Sequence, residues 1–232
     1  MTLTKPAVGL NGNQLKLIAL VSMTIDHIGV QLLPHVTILR IIGRLALPIF
    51  AYMIAQGCRY TRNKGRYLLQ LFAVGFVCQV VYFFAMGSLY QCIFVTFSLS
   101  VCGIYLLEFA KKQKIMFCGF LCSVSLAVIY FLTDILPLLL PGTDFRIDYG
   151  FAGVLLPVLI YLGKNQKQQL LMTLIGVVLL ALQLGGIQWI ALAAVPLLAL
   201  YDGTRGKAKL KYLFYIYYPA HLVALYLLDL LI

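Results

Sequence analysis

The chain has 232 residues, 62% of them hydrophobic and 11% charged, with a mean hydropathy of +0.97. That leaves too little polar surface to cover a soluble core, which excludes a soluble globular enzyme, a secreted disulfide scaffold and a disordered chain. Eighteen Lys and Arg stand against seven Asp and Glu, a net charge of +11, and its meaning depends on where the charges fall.

A bilayer core about 30 Å thick needs about 20 mostly apolar residues per spanning helix. In chain order the apolar runs predict helices over 14–33, 40–57, 67–86, 92–109, 115–133, 149–163, 169–184, 187–201 and 212–232. The runs 149–163, 169–184 and 187–201 are short for a span. The Pro- and Leu-rich stretch 134–148 reads as a surface loop, a partly re-entrant piece or a tenth short span. The first run is too long for a cleavable signal and carries Asp26 and His27, so it reads as a retained helix. The expected architecture is all-α: one polytopic membrane domain, 1–232, with about nine transmembrane helices.

The positive charges alternate with these runs. Lys5 and Lys16 precede or open the first. Arg59, Arg62, Lys64 and Arg66 fall between the second and third, and Lys111, Lys112 and Lys114 between the fourth and fifth. Lys164 and Lys167 follow the sixth, and Arg205, Lys207, Lys209 and Lys211 follow the eighth. The other loops hold Arg40 and Arg146, and Arg44 lies within a span. The positive-inside rule then places the N-terminus in the cytoplasm and the C-terminus outside a cell (inner) membrane. The excess charge serves topology and anionic-lipid contact, and a nucleic-acid partner is not expected.

Ionisable groups inside a span are costly, which makes each a functional candidate. His27 lies roughly 20 Å along the first helix at 1.5 Å per residue, and His221 roughly 14 Å along the last. Arg40 and Arg44 are four apart on one helical face. Asp26, His27, Arg44 and His221 thus share one belt between mid-bilayer and the outer half. Asp26 and His27 point about 100° apart on their helix, so pairing of Asp26 with Arg40 or Arg44 competes with its orienting His27. Gln79 and Tyr82 are placed to line a cavity. Asp148 and Tyr149, followed by Gly150 and Gly153, read as a helix start that packs closely. Glu108 lies at a cytoplasmic helix end, where it snorkels, and Asp229 lies near the outer end. The six cysteines show no CxxC spacing and read as buried apolar thiols. No HExxH, GxSxG or Walker pattern is present, and no metal is expected. Imidazole, guanidinium and tyrosine suit proton abstraction and oxyanion stabilisation.

Two long blocks, LKLIALVSMTIDHIG (15–29) and RIIGRLALPIFAYMIAQGCRYTRNKGRYL (40–68), with DYGFAGVL (148–155) and YIYYPAHL (215–222) following in order, resemble the TraX family of conjugal-transfer membrane proteins over nearly the whole chain. Val81 and Cys92 stand where that family tends to show Pro and Asn. The resemblance implies transfer of an acetyl group from acetyl-CoA to an acceptor amine or hydroxyl, in the family's namesake the N-terminus of pilin. It also implies kinship with multi-spanning membrane acyltransferases, in which a basic residue stands eleven positions before an intramembrane His, as Lys16 stands before His27.

On that basis the expected site has His27 as base and Arg44 or His221 on the oxyanion, with Asp26 in the same belt. Lys16, Arg40, Arg59, Arg62, Lys64 and Arg66 would meet the phosphates of acetyl-CoA. Gln79, Tyr82, Asp148, Tyr149 and Tyr218 supply substrate or structural contacts. The acceptor is a pilin-like peptide, another peptide or a saccharide. A proton-coupled transporter using the same belt, or a non-catalytic assembly subunit, are the competing readings.

Overall fold

In a computed structural model the chain is described over residues 9–208 and 210–231; Lys5 and Lys209, counted among the alternating charges, and Ile232 lie outside the described residues. Nine helical rods follow one another: α1 (Gly12–Gln31), α2 (Thr37–Tyr60), α3 (Lys64–Met86), α4 (Ile93–Ala110), α5 (Ile115–Leu139), α6 (Gly150–Leu162), α7 (Gln166–Leu184), α8 (Gly186–Ala199) and α9 (Lys211–Asp229). No strand occurs among the described residues; two isolated bridges, Leu10 to Tyr201 and Gln91 to Ile147, tie loops together. The all-helical expectation is met.

The starts and stops have local causes. Asn11 opens α1 as a capping box, its Oδ1 accepting from the Asn13 and Gln14 N–H groups while Gln14 Oε1 accepts from Asn11 N. Asn63 and Asn165 cap α3 and α7 in the same way, accepting from Arg66 N and Gln168 N. Gly87, at φ +62°, ends α3 in the left-handed conformation, and Ser88 N donates back to the Tyr82 carbonyl. α2 is interrupted at Arg44–Leu45, because Pro48 has no N–H for the Arg44 carbonyl and its ring crowds it. The stretch 134–148 resolves as a correction. α5 runs on past 133 through a π-helical turn, Phe131–Ile135, to Leu139, and only the residues after it form loop. Pro137 explains the widened turn, since it removes the donor that Thr133 would need.

Hydrogen bonds between loops show which ends lie together. At one end Gly12 N donates to Thr204 O, Arg59 reaches the Gly163 carbonyl, Gln166 Nε2 reaches Tyr201 O, and Lys64 pairs with Glu108. The start of α1 and the loops after α2, α4, α6 and α8 therefore share one end, where the alternating charges cluster. At the other end Leu89 N donates to Asp144, Gln183 Nε2 to Asp134, and Arg40 to Asp26.

Five rods, α2 to α5 and α7, are long and apolar enough to cross a membrane; α6 and α8 are shorter apolar rods. The most apolar stretch of α5 is only 6% buried within the protein, that of α3 17% and that of α2 56%. Exposed Ile115, Met116, Phe120, Leu138, Phe76 and Phe84 make an apolar outer surface that water would not tolerate and lipid does. The protein is a helical membrane protein. Its core gathers Leu15, Ala19, Ile49, Tyr52, Leu156, Ile160, Leu180 and Leu198 from α1, α2, α6, α7 and α8. Within it Gln169 Oε1 accepts from Tyr52 Oη at 2.8 Å and Gln56 Nε2 at 2.6 Å, which satisfies three polar groups where no water reaches.

Candidate functional site

Asp26 is the hub of a polar layer between α1, α2 and α8. Its Oδ1 accepts from Arg44 Nη2 at 2.6 Å and its Oδ2 from Arg40 Nη1 at 3.0 Å. Arg44 also donates from Nη1 to Gln188 Oε1 at 3.0 Å and from Nε to the Arg40 carbonyl at 3.2 Å. The side chain of Arg44 is 8% exposed and that of Asp26 13%, so each charge depends on the other for its cost of burial. The approach needs glycine, because a Cβ on Gly43 would collide with the Asp26 carboxylate. Asp26 thus takes the pairing alternative and spends both oxygens on arginines. Gln188, which periodicity alone did not single out, was visible as a polar residue in the apolar run 187–201.

One residue on, His27 faces α9. His221 Nε2 lies 3.0 Å from His27 Nδ1, and His221 Nδ1 lies 3.1 Å from the Tyr217 carbonyl. The His221 ring stacks on Tyr217 at 5.4 Å, 9° from parallel. Tyr217 is itself held by a 2.8 Å hydrogen bond between its hydroxyl and Thr24 Oγ1 on α1. Tyr218 stands edge-on to both histidines, at 6.1 and 5.2 Å, and to Phe94 at 4.9 Å. The helical spacing of YIYYPAHL explains this arrangement: residues 217 and 221 lie one turn apart on one face.

Below the pair opens a cavity of about 530 Å³. Lys16, Tyr60, Thr61 and Arg205 line its part at the charged end, Leu20 and Phe50 its middle, and Met23, Tyr217 and Tyr218 its part nearest the histidines. Met23 and Tyr217 each lie one turn before a histidine, so the cavity ends beside the pair, although neither His27 nor His221 lines it. Lys16 Nζ also sits 5.6 Å over the Phe214 ring. Arg205 is a lining residue that reading for topology alone had counted only as a loop charge.

Other expected positions fall elsewhere. Arg59 donates to the carbonyls of Ile160, Tyr161 and Gly163 and lies 4.8 Å over the Tyr161 ring; it closes the end of α6. Lys64 pairs with Glu108, to which Tyr161 Oη also donates, so Glu108 is bonded rather than merely snorkelling. Arg62 and Arg66 are exposed at the charged end. Arg40 and Arg59, like Arg62, Lys64 and Arg66, do not line the cavity. Gln79 donates to the Ser88 carbonyl and accepts from Gln91. Tyr82 meets Tyr90 edge-on at 6.0 Å, and Tyr90 Oη donates to Asp148 at 2.5 Å. Tyr149 takes a positive φ of 61° at the start of α6, and Thr96 donates to the Asp148 carbonyl beside it. Asp148 and Tyr149 therefore stand at the end opposite the cavity's mouth, close to Arg44. Among the described residues no group of three or more His, Cys, Asp or Glu could hold a metal ion.

The fold and these groups define a polytopic helical membrane protein with a histidine pair above an aromatic cavity. The chain belongs to the TraX protein family, whose model matches residues 11–229. It is 29% identical over 158 residues to an uncharacterised protein of Rickettsia prowazekii (strain Madrid E), a match covering 67% of this chain and 57% of that one. It is 34% identical over 73 residues to a probable fimbrial assembly protein of Dichelobacter nodosus, serogroup H1, covering 30% of each. The matches therefore span less than two thirds of these relatives' own length. No solved structure matches the chain.

Proposed function

We propose that the protein is a membrane-embedded acetyltransferase that moves an acetyl group from cytoplasmic acetyl-CoA to an acceptor amine or hydroxyl. The observation that carries this reading is the cavity, which runs from two cations at the charged end, Lys16 and Arg205, to Met23, Tyr217 and Tyr218 beside the histidine pair. Its volume falls in the range of about 300–1,000 Å³ usual for small-molecule sites. Lys16 and Arg205 meet the phosphates of the donor, and the aromatic walls take its apolar arm. His27 takes the proton from the acceptor as the acceptor's nitrogen or oxygen attacks the thioester carbonyl; the carbon–sulfur bond breaks and CoA leaves as the thiolate. Arg44, already bonded to Asp26 and Gln188, acts as a fixed positive charge near the reacting carbonyl rather than as a free donor.

All nine rods cross the membrane in this reading, with the charged end cytoplasmic, where anionic lipid meets the basic loops. Chains as short as α6 and α8 cross because they are wrapped by neighbours rather than by lipid. The acceptor arrives from the opposite side. The name of the Dichelobacter relative, a fimbrial assembly protein, supports a surface-fibre subunit as acceptor.

The test is release of free CoA from acetyl-CoA by the purified protein in nanodiscs, with pilin-like peptides and saccharides as acceptors, beside His27→Ala and with CoA binding measured in parallel. Turnover in the native protein, lost in the variant while CoA still binds, is the expected result. Absence of CoA binding in both proteins would overturn the reading.

A further inference from the structure

The two histidines are tied to one another and to a backbone carbonyl, and together these contacts dictate where each proton sits. A carbonyl oxygen only accepts, so the 3.1 Å contact between His221 Nδ1 and the Tyr217 carbonyl requires a proton on Nδ1. In a neutral imidazole the other nitrogen then carries a lone pair. His221 Nε2 is therefore an acceptor, and its 3.0 Å partner, His27 Nδ1, must be the donor. With Nδ1 protonated, the bare nitrogen of His27 is Nε2.

We infer that His221 is a positioning residue that locks His27 as the Nδ1–H tautomer, keeps His27 Nε2 free as the base, and receives the proton passed on through the pair. The step balances without another reactant. A proton arriving at His27 Nε2 is matched by transfer of the Nδ1 proton to His221 Nε2. The N–H bond on His27 Nδ1 breaks as one forms on His221, so the positive charge ends on His221. There Tyr217 receives it twice, through its carbonyl on Nδ1–H and through its ring, stacked 5.4 Å away. Thr24, bonded to the Tyr217 hydroxyl, holds that ring in place from α1. The base role rests on the acetyltransferase reading; the tautomer order does not.

The chain has three histidines, so ring-15N-histidine labelling in nanodiscs yields three imidazole spectra, His27, His35 and His221. His27→Gln and His35→Gln assign them by loss of signal. The native protein is expected to show both His27 and His221 with Nδ1 protonated and Nε2 bare. A protonated Nε2 on neutral His27 would overturn the inference, and this outcome needs no variant of His221 to fold.

His221→Gln places an amide oxygen where Nε2 stood and is expected to keep His27 as Nδ1–H. His221→Phe is expected to release His27 to the mixed tautomers of a free imidazole. In turnover, His221→Phe is expected to lose about 10²–10⁴-fold, the range for a misplaced base or wrong tautomer, with His221→Gln recovering at least about tenfold of that loss. Equal loss in both variants, with the native tautomers as expected, would overturn the positioning role. An unchanged rate in His27→Ala would instead overturn the base role of His27, and absence of CoA binding the acetyltransferase reading; either leaves the tautomer result standing.

Discussion

The polar layer between α1, α2 and α8 and the cavity beside α1, α2 and α9 lie toward opposite ends of the molecule, are built from similar side chains and behave in opposite ways. Toward one end Asp26, Arg40, Arg44 and Gln188 close on one another, with Gly43 admitting the carboxylate between two helices. Toward the other, Lys16 and Arg205 stand at the mouth of an open cavity with ten aromatic residues in its walls. Inside a membrane, polar groups that satisfy each other weld helices together. Cations at the mouth of a cavity, backed by flat rings, leave room for an anionic guest.

The contrast is broken most severely at its hub. Asp26→Ala strands the buried Arg44, and the expected loss is about 3–5 kcal/mol of stability, read as a lower unfolding midpoint in detergent; an unchanged midpoint would show the layer is not a weld. Arg59→Ala frees three carbonyls at the end of α6 and is expected to cost about 1.5–3 kcal/mol, the worth of a hydrogen bond from a charged donor, with Arg59→Lys recovering part. Gly43→Ala forces a methyl against the Asp26 carboxylate and is expected to cost about 1–3 kcal/mol, whereas Gly119→Ala, which meets open space, leaves the midpoint in place.

The open end is sharpened by filling it. Leu20→Trp sets an indole halfway between Lys16 and Met23. CoA affinity is expected to fall about tenfold, equivalent to about 1.4 kcal/mol, with the unfolding midpoint held; retained affinity would remove the cavity from the donor's path.

The smallest effect lies in the loop before α6. The Ser88 hydroxyl and Leu89 N–H hold the exposed Asp144 carboxyl below its ordinary range. A lowered folded-state value means that Asp144 stabilises above the ordinary carboxylate pKa and loses this as pH falls through the lowered one. The midpoints of native protein and Asp144→Asn are therefore expected to differ slightly near neutrality and to converge in acid.

Hydropathy made the rods legible, because length and apolar content are all that a span needs, and the alternation of Lys and Arg correctly put five chain segments at one end. It could not show that α5 continues past Asp134, since a π turn before Pro137 leaves no mark beyond the proline itself. His27, His221, Asp26 and Arg44 stood out as ionisable residues in apolar runs. Which of them would pair was not readable, because a 100° step along one helix does not fix the position of its neighbours. Arg59 and Lys64 show the cost of reading charge without geometry: a basic cluster beside a membrane looks like a phosphate site, while Arg59 is taken up by backbone carbonyls and Lys64 by Glu108. Arg205 was hidden for the converse reason. It sits in a loop whose charge topology already explained, and only the fold brings that loop to Lys16.

The histidine pair joins residues 194 positions apart, one on α1 and one on α9. A ribosome that has delivered α1 through α8 has made His27, its Asp26–Arg44 weld and most of the cavity wall, but neither His221 nor the carbonyl that orients it. Until α9 is made the tautomer of His27 is unset, and the proton relay becomes whole when α9 settles against α1. Docking of α9 on α1 is thus the step that completes the pair, and a chain stalled before it has the charged layer and most of the cavity wall without the paired imidazoles.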